Sequence, residues 1–368
     1  MNLKRTVLSA LLAVGLCSSS FAAMTIDGAG ITFSDSSVQT TAATGGGGGT
    51  TQYHVVHVSA DSDPGTNATN LANAISAIID ADWSNRYVIQ LDPGQYFLGA
   101  SALTMKQYVN IHGMGQDVTR INGTGAVIIN GTDSSSLHSL TVSSDATISS
   151  SVVVLNGGEM TMDDVSINHN GGGTNTYIAL DVTGGGGVEL HNFNIEYWNA
   201  SPAAGTFIGI SLTGYGAVVG GTEGSWADCN AGYIEGEDDG GLMTFWGVKV
   251  GDGTTPPLDL LDPITIDLGS GTFAEMTSAA SKATGVKVYP EGLAFLMGAV
   301  VAGDETNDTY EACDALNSTG TVFSINTVFI GALVTTDVVT TTYSQCTKVV
   351  AGFDFAPIQN TIAEYAPL

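Results

Sequence analysis

Basic residues are the scarcest ingredient of this sequence. Lys and Arg together number 9 in 368 residues, against 36 Asp and Glu, giving a formal net charge of −27. Binding to nucleic acid depends on neutralising phosphates with Lys and Arg, so this set excludes it. The same scarcity excludes an anionic membrane surface as a partner. Long apolar runs are also missing. Beyond the first two dozen residues none reaches the length of a transmembrane helix. Cysteines number only 4, and none has metal-ligand spacing. What the chain has in abundance is glycine, 48 residues, beside a hydrophobic content of 43%. That apolar share supports a packed core and argues against disorder, despite the acidity.

Residues 1–23 read as a bacterial-type signal peptide. Lys4 and Arg5 supply the positive start, Val7 to Leu16 the apolar stretch, and Ser20-Phe21-Ala22-Ala23 the small residues for cleavage. Leu16 before Cys17 is too bulky for a lipoprotein site. The expected location is secreted, extracellular or cell-surface, with the periplasm as a further choice. An oxidising compartment implies one disulfide and one free thiol among Cys229, Cys313 and Cys346. Cys313–Cys346 is the favoured pair, since both lie in one C-terminal stretch. Residues 24–50 form a Gly-rich tether, with an unbroken run from Gly45 to Gly49. Within it, Gly30 to Ala42 (GITFSDSSVQTTA) resembles a short motif at the ends of phage tail-fibre and bacterial surface proteins. An ordinary hairpin and linker is the other reading.

The spacing predicts a helix from about Thr69 to Asp80. Leu71, Ile75, Ile78 and Ile79 fall on one face, and Asn67 or Thr69 would cap it. Beyond it a repeat decides the fold. The pattern apolar-x-x-apolar-x-apolar occurs at Leu137/Leu140/Val142, Met162/Val165/Ile167 and Leu190/Phe193/Ile195, 25 and then 28 residues apart. It returns at Phe245/Val248/Val250, Ile325/Val328/Ile330 and Val350/Phe353/Phe355, with a weaker copy at Phe295/Gly298/Val300. Val109/Ile111 is placed one step upstream. A second apolar pair precedes several copies, at Val127/Ile129, Val152/Val154 and Leu180/Val182. Short strands at this period, with Gly, Asn, Ser and Thr between them, are a β-solenoid signature. The fold class is therefore all-β: a single right-handed parallel β-helix over residues 51–368. Residues 51–221 are the most regular part and 222–368 its continuation. Residues 200–240 and 255–285 lack clean copies and read as loops. The helix near residue 75 would cap the first coil.

Leu91-Asp92-Pro93-Gly94-Gln95-Tyr96, then Val109-Asn110-Ile111-His112-Gly113-Met114-Gly115, then Thr119-Arg120-Ile121 resembles the opening of right-handed β-helix proteins of the pectin-lyase-like superfamily. The likeness is to its pectin methylesterase branch and covers about residues 52–200. That superfamily holds pectate lyases, polygalacturonases, pectin methylesterases, tailspikes and noncatalytic surface proteins, so the likeness implies a fold and leaves activity open. Its enzymes work on the outward face of neighbouring coils. Here the residues assigned to that face are Asn110, Thr141, Ser166, Asn194 and Lys249, and one step earlier Ser136, Thr161, Glu189 and Thr244. They are mostly hydroxyl and amide. The carboxylate and arginine sets that the resemblance would require are not found among them.

Three weaker constellations remain. His138, Asp163 and His191 share one column, so stacked coils would bring them about 5 Å apart, as a transition-metal site or as a solvated edge. Glu235 to Asp239 and Asp304 to Asp308 would offer oxygen ligands to Ca²⁺, or form solvated turns. Tyr197 and Trp198, with Thr141, Ser166 and Asn194, would contact a glycan, or the aromatic pair would cover the core edge. The expected function is a secreted or cell-surface β-helix protein with a structural, adhesive or glycan-binding role and no evident catalytic site. Its partners would be a polysaccharide or further copies of itself. The alternative is a divergent polysaccharide-active enzyme, pectate lyase-like or pectinesterase-like.

Overall fold

The computed structural model describes residues 25–27, 30–32, 38–39, 52–199, 204–218, 221–238, 243–254, 260–269, 271–278, 283–297, 299–303, 313–318, 320–330, 332–335, 340–350 and 354–359. The signal segment, the glycine run, the second acidic cluster and Phe353 lie outside them. Two compact units divide the chain, residues 1–50 and 51–368. In the first, Thr25–Asp27, Gly30–Thr32 and Val38–Gln39 form a small antiparallel sheet.

The second unit is built mostly of parallel strands, with antiparallel pairs between Tyr215–Val218 and Gly221–Gly224 and between Thr340–Val350 and Asp354–Gln359, and its repeat has a simple mechanical origin. A strand alternates sides with period two. In Ser135–Ser144, Leu137 points inward and His138 outward. Ser139 then takes a left-handed backbone, φ 50°, and Leu140 and Val142 point inward again. The residue inserted at the bend turns apolar-x-apolar into apolar-x-x-apolar-x-apolar. The same bend falls at Asp164, Asn192 and Ala231, with φ of 56°, 49° and 54°. Asp and Asn suit it, because their short polar side chains tolerate this conformation. Asn192 Nδ2 donates to Asp164 Oδ1 at 3.1 Å, tying one bend to the next.

Stacking follows the repeat. Leu137 is in register with Met162 and Met162 with Leu190, while Val142 aligns with Ile167 and Ile167 with Ile195. These strands belong to a sixteen-stranded sheet; Ser150–Asn156, Thr176–Thr183 and Thr206–Leu212 belong to a nine-stranded one. The chain alternates between the long and the short sheet, and each return pairs in parallel with the strand of the previous visit. This is an all-β arrangement compatible with a solenoid. Between the sheets lies one continuous apolar core. Among the described residues no helix is long and apolar enough to cross a membrane.

Several registers differ from the sequence expectation. Ile111 aligns with Leu137, so Asn110 stands beside Ser136, while Arg120 stands beside Thr141. Val153 and Leu155 are the residues that pair with Leu180 and Val182, leaving Val154 facing outward. Phe245/Val248/Val250 stacks on Phe207/Ile210/Leu212 in the short sheet, which carries Thr244 and Lys249 away from the long-sheet face. In Gly292–Met297 the inward residues are Ala294 and Leu296, so Phe295 points out. The region read as a loop contains Trp226–Asp238, a full strand of the long sheet. Its inward residues are Ala227, Cys229, Gly232 and Ile234. Gly232 is there because the Phe193 ring already fills the site: a Cβ would lie 2.4 Å from Phe193 Cδ1. Ile264–Leu268 and Thr272–Ser278 continue the sheet beyond it.

The helix runs from Pro64 to Ala77, earlier than periodicity implies. Asp63 caps it, accepting from Gly65 N and Thr66 N, and Pro64 opens the first turn. Asn67 lies inside the helix and is buried, donating to Asp61 O and Gln95 O. Ala68, Leu71 and Ile75 join the core at its first coil, whereas Ile79 is 90% exposed.

Candidate functional site

A groove of about 330 Å³ opens on the outer face of the long sheet. Its lining includes Arg86, Asn110, Ser136, His138, Thr161, Glu189 and Trp226. These residues stand on six neighbouring strands, from Asn85–Leu91 to Trp226–Asp238. Five strand spacings carry the groove about 24 Å along the sheet.

One outward column supplies its floor through Asn110, Ser136, Thr161 and Glu189 and continues beyond the lining. Asn110, Ser136, Thr161, Glu189, Asp228 and Asp267 are in register, strand upon strand. The column passes from amide and hydroxyl groups to three successive carboxylates. Burial raises the Asp267 carboxyl above its ordinary range, and the Asp228 charge adds to this. Asp267 Oδ1 is buried without a hydrogen-bond partner. Asp228 instead accepts from Asn230 Nδ2 at 2.8 Å.

Aromatic and charged groups sit at the ends. Trp226 aligns with Gly187, and its ring occupies the space a side chain there would take, 2.1 Å from an ideal Cβ. Only glycine admits the indole so close to the strand. The ring is half-buried and lines the groove. At the other end, Arg86 lies 5.4 Å from the Tyr108 ring centroid.

The histidine column borders the floor. His112, His138, Asp163, His191 and Asn230 occupy successive strands. The His112 and His138 ring centroids are 4.3 Å apart, and His138 Nδ1 is 3.8 Å from Asp163 Oδ2. His138 Nε2 lies 2.9 Å from Ser136 Oγ. Burial lowers the pKa of both imidazoles; for His138 the Asp163 charge opposes it. The column expected from the sequence is thus formed. Among the described residues no three His, Cys, Asp or Glu side chains are arranged to hold a metal ion.

The residues expected to touch a glycan are placed differently. Thr141 and Ser166 are each 5% exposed. The 114–118 loop lies over this column: Thr141 donates to Gln116 O, and the Gln116 amide donates to Asp164 Oδ1. Asn194 Nδ2 donates to Glu196. Tyr197 is 1% exposed, so its ring is not offered to a sugar. It packs among His169, Tyr177, Phe207 and Phe245 and donates to Gly171 O. The side chains of Trp198, Cys313 and Cys346 lie outside the described residues. Cys229 is buried, with no disulfide partner among the described residues. Glu235 of the first acidic cluster is exposed.

The sequence reading missed Trp226 and Arg86 as parts of the groove, and Asp228 and Asp267 as the continuation of its floor column. A mid-strand glycine, Gly187, opposite a tryptophan was the available signal, but it needs the register to be seen.

No protein-family model matches the chain, and no curated protein matches it. Among solved structures it is similar to ORF18 of Geobacillus virus E2, at 15% sequence identity and a TM-score of 0.29. The match covers 82% of this chain and 63% of that one, so the chain spans under two thirds of that protein's length.

Proposed function

We propose that the protein is a secreted or cell-surface right-handed β-helix whose long-sheet groove binds a glycan, in an adhesive or structural role. The observation that carries this is the Trp226 indole lying over Gly187 in one groove with Asn110, Ser136, Thr161 and Glu189. An aromatic face beside convergent hydroxyl, amide and carboxylate groups matches the two needs of a sugar, an apolar ring face and polar edges. The proposed hand follows from the near-universal right-handedness of parallel crossovers. The opening motif supports the pectin-lyase-like resemblance as a fold reading. The test is a panel of neutral and uronic-acid polysaccharides. Binding to at least one is expected, falling at least tenfold in Trp226→Ala and in the milder Glu189→Gln. Retained affinity in both folded variants would place the ligand elsewhere.

A second reading, a divergent polysaccharide-active enzyme, rests on Glu189, Asp228 and Asp267. Glycoside cleavage uses carboxyl groups of separated pKa, one protonated as acid and one ionised. Asp267, whose carboxyl is raised by burial and then by the Asp228 charge, is the candidate for the protonated member. Turnover of a panel member, abolished in Asp267→Asn, is the outcome that favours this reading over simple binding.

A further inference from the structure

Three turns stack where strands of the short sheet end. Leu212, Val250 and Val288 are in register. Three residues beyond each come Tyr215, Gly253 and Glu291. Glu291 is only 4% exposed. Its Oε1 accepts from Asp252 N and Gly253 N, each at 2.6 Å. Gly251 has φ 86°, and a Cβ there would lie 2.6 Å from the same oxygen, so glycine is what lets the turn close over the carboxyl group. Glu291 Oε2 is buried without a hydrogen-bond partner, and so is the Tyr215 hydroxyl oxygen. Burial raises the Tyr215 pKa, and the charges of Glu291 and then Asp252 add to this, so the hydroxyl lies within reach of both. The Asp252 side chain is at the surface, with Oδ1 accepting from Thr254 N at 2.9 Å. Among the described residues no cationic nitrogen lies within ion-pair distance of either carboxyl group.

Buried carboxylates are paired or hold a cation, and a buried polar atom without a partner points to a bound water or ion. Here two such oxygens and a second carboxyl group meet at one corner of an acidic chain. A cation supplies the missing charge, which water does not. The donors are all oxygen, as calcium prefers, and calcium completes an irregular shell with backbone carbonyls and water.

We propose that Glu291, Asp252 and Tyr215 form a calcium site that locks this corner of the stack. Glu291 Oε2 and the Asp252 carboxylate would be its charged ligands and the Tyr215 hydroxyl a neutral one. Asp252, at the surface, gives the ion its way in. None of the three lines the groove, and the site does not depend on the groove's reading.

Calorimetric titration of the chelator-treated full chain with calcium chloride at neutral pH, read beside a thermal melt, tests this. Binding with a Kd of about 0.1–1 mM is expected, the range of extracellular calcium modules, together with a higher melting temperature. Glu291→Gln keeps an acceptor for the two amides and removes the charge, and should weaken binding at least tenfold. Asp252→Asn, a change at the surface, should do the same and gives the test if Glu291→Gln unfolds. No calcium uptake by the wild type would leave a proton shared between the carboxyl groups as the counter-charge and would overturn the proposal. Unchanged calcium affinity in the folded variants would overturn it equally.

Discussion

Acid sensitivity built into one buried histidine gives the sharpest check on the interior. His169 is fully buried. Its Nδ1 accepts from Gly171 N at 3.1 Å, so the proton of the neutral ring sits on Nε2, which faces Ser150 Oγ at 2.8 Å. The ring packs 4.4 Å from the Tyr177 centroid. An added proton would reside on a nitrogen that is already accepting, with no carboxylate beside it. Burial drives the pKa from 6.5 down to about 3. Between those two values the unfolded chain holds one proton more than the native chain, so this residue's contribution to stability is lost as pH falls through that window. Each pH unit removes about 1.4 kcal/mol, so going from pH 7 to pH 5 costs about 2 kcal/mol from this residue alone. Urea denaturation of the wild type and of His169→Gln at both pH values isolates it. The substitution lowers stability at pH 7, where it loses the Gly171 contact. Its further loss on acidification should be smaller than the wild type's by about 2 kcal/mol. An equal further loss in the two proteins would refute the neutral, buried histidine.

Three other outcomes follow from the packing. Gly232→Ala places a methyl against the Phe193 ring and should cost about 1–3 kcal/mol, read as a lower melting temperature; an unchanged melt would contradict the stacking of these strands. Asp63→Ala removes the cap from Gly65 N and Thr66 N, and about 1 kcal/mol of destabilisation is expected in a denaturant titration. Cys229 is buried and burial raises its thiol pKa well above normal, so mass mapping after iodoacetamide should find it modified only once the protein is unfolded.

The repeat was readable where inward positions carry large apolar side chains, as in Leu137, Met162 and Leu190. It faded where the core is shared unequally. At Trp226–Asp238 Phe193 supplies the bulk and Gly232 yields it, so three of the four inward residues, Ala227, Cys229 and Gly232, are small and the apolar triplet is lost. Register slips had a similar cause. Val152, Val153 and Leu155 form a nearly continuous apolar run, and a period of two cannot choose between its phases. The site suffered most, since a groove assembled from six strands depends on every register being right. The histidine column came through because its spacing lies wholly within the regular coils. Trp226 did not, because an irregular connection separates it from Gly187.

The proposed sugar lies on Trp226 across the long-sheet floor. The most direct measurement is a crystal structure of the chain with the tightest-binding oligosaccharide from the panel. A sugar ring stacked on the Trp226 indole, with hydroxyls bonded to Ser136, Thr161 or Glu189, is the predicted result. An empty groove with the saccharide bound on another face would contradict it.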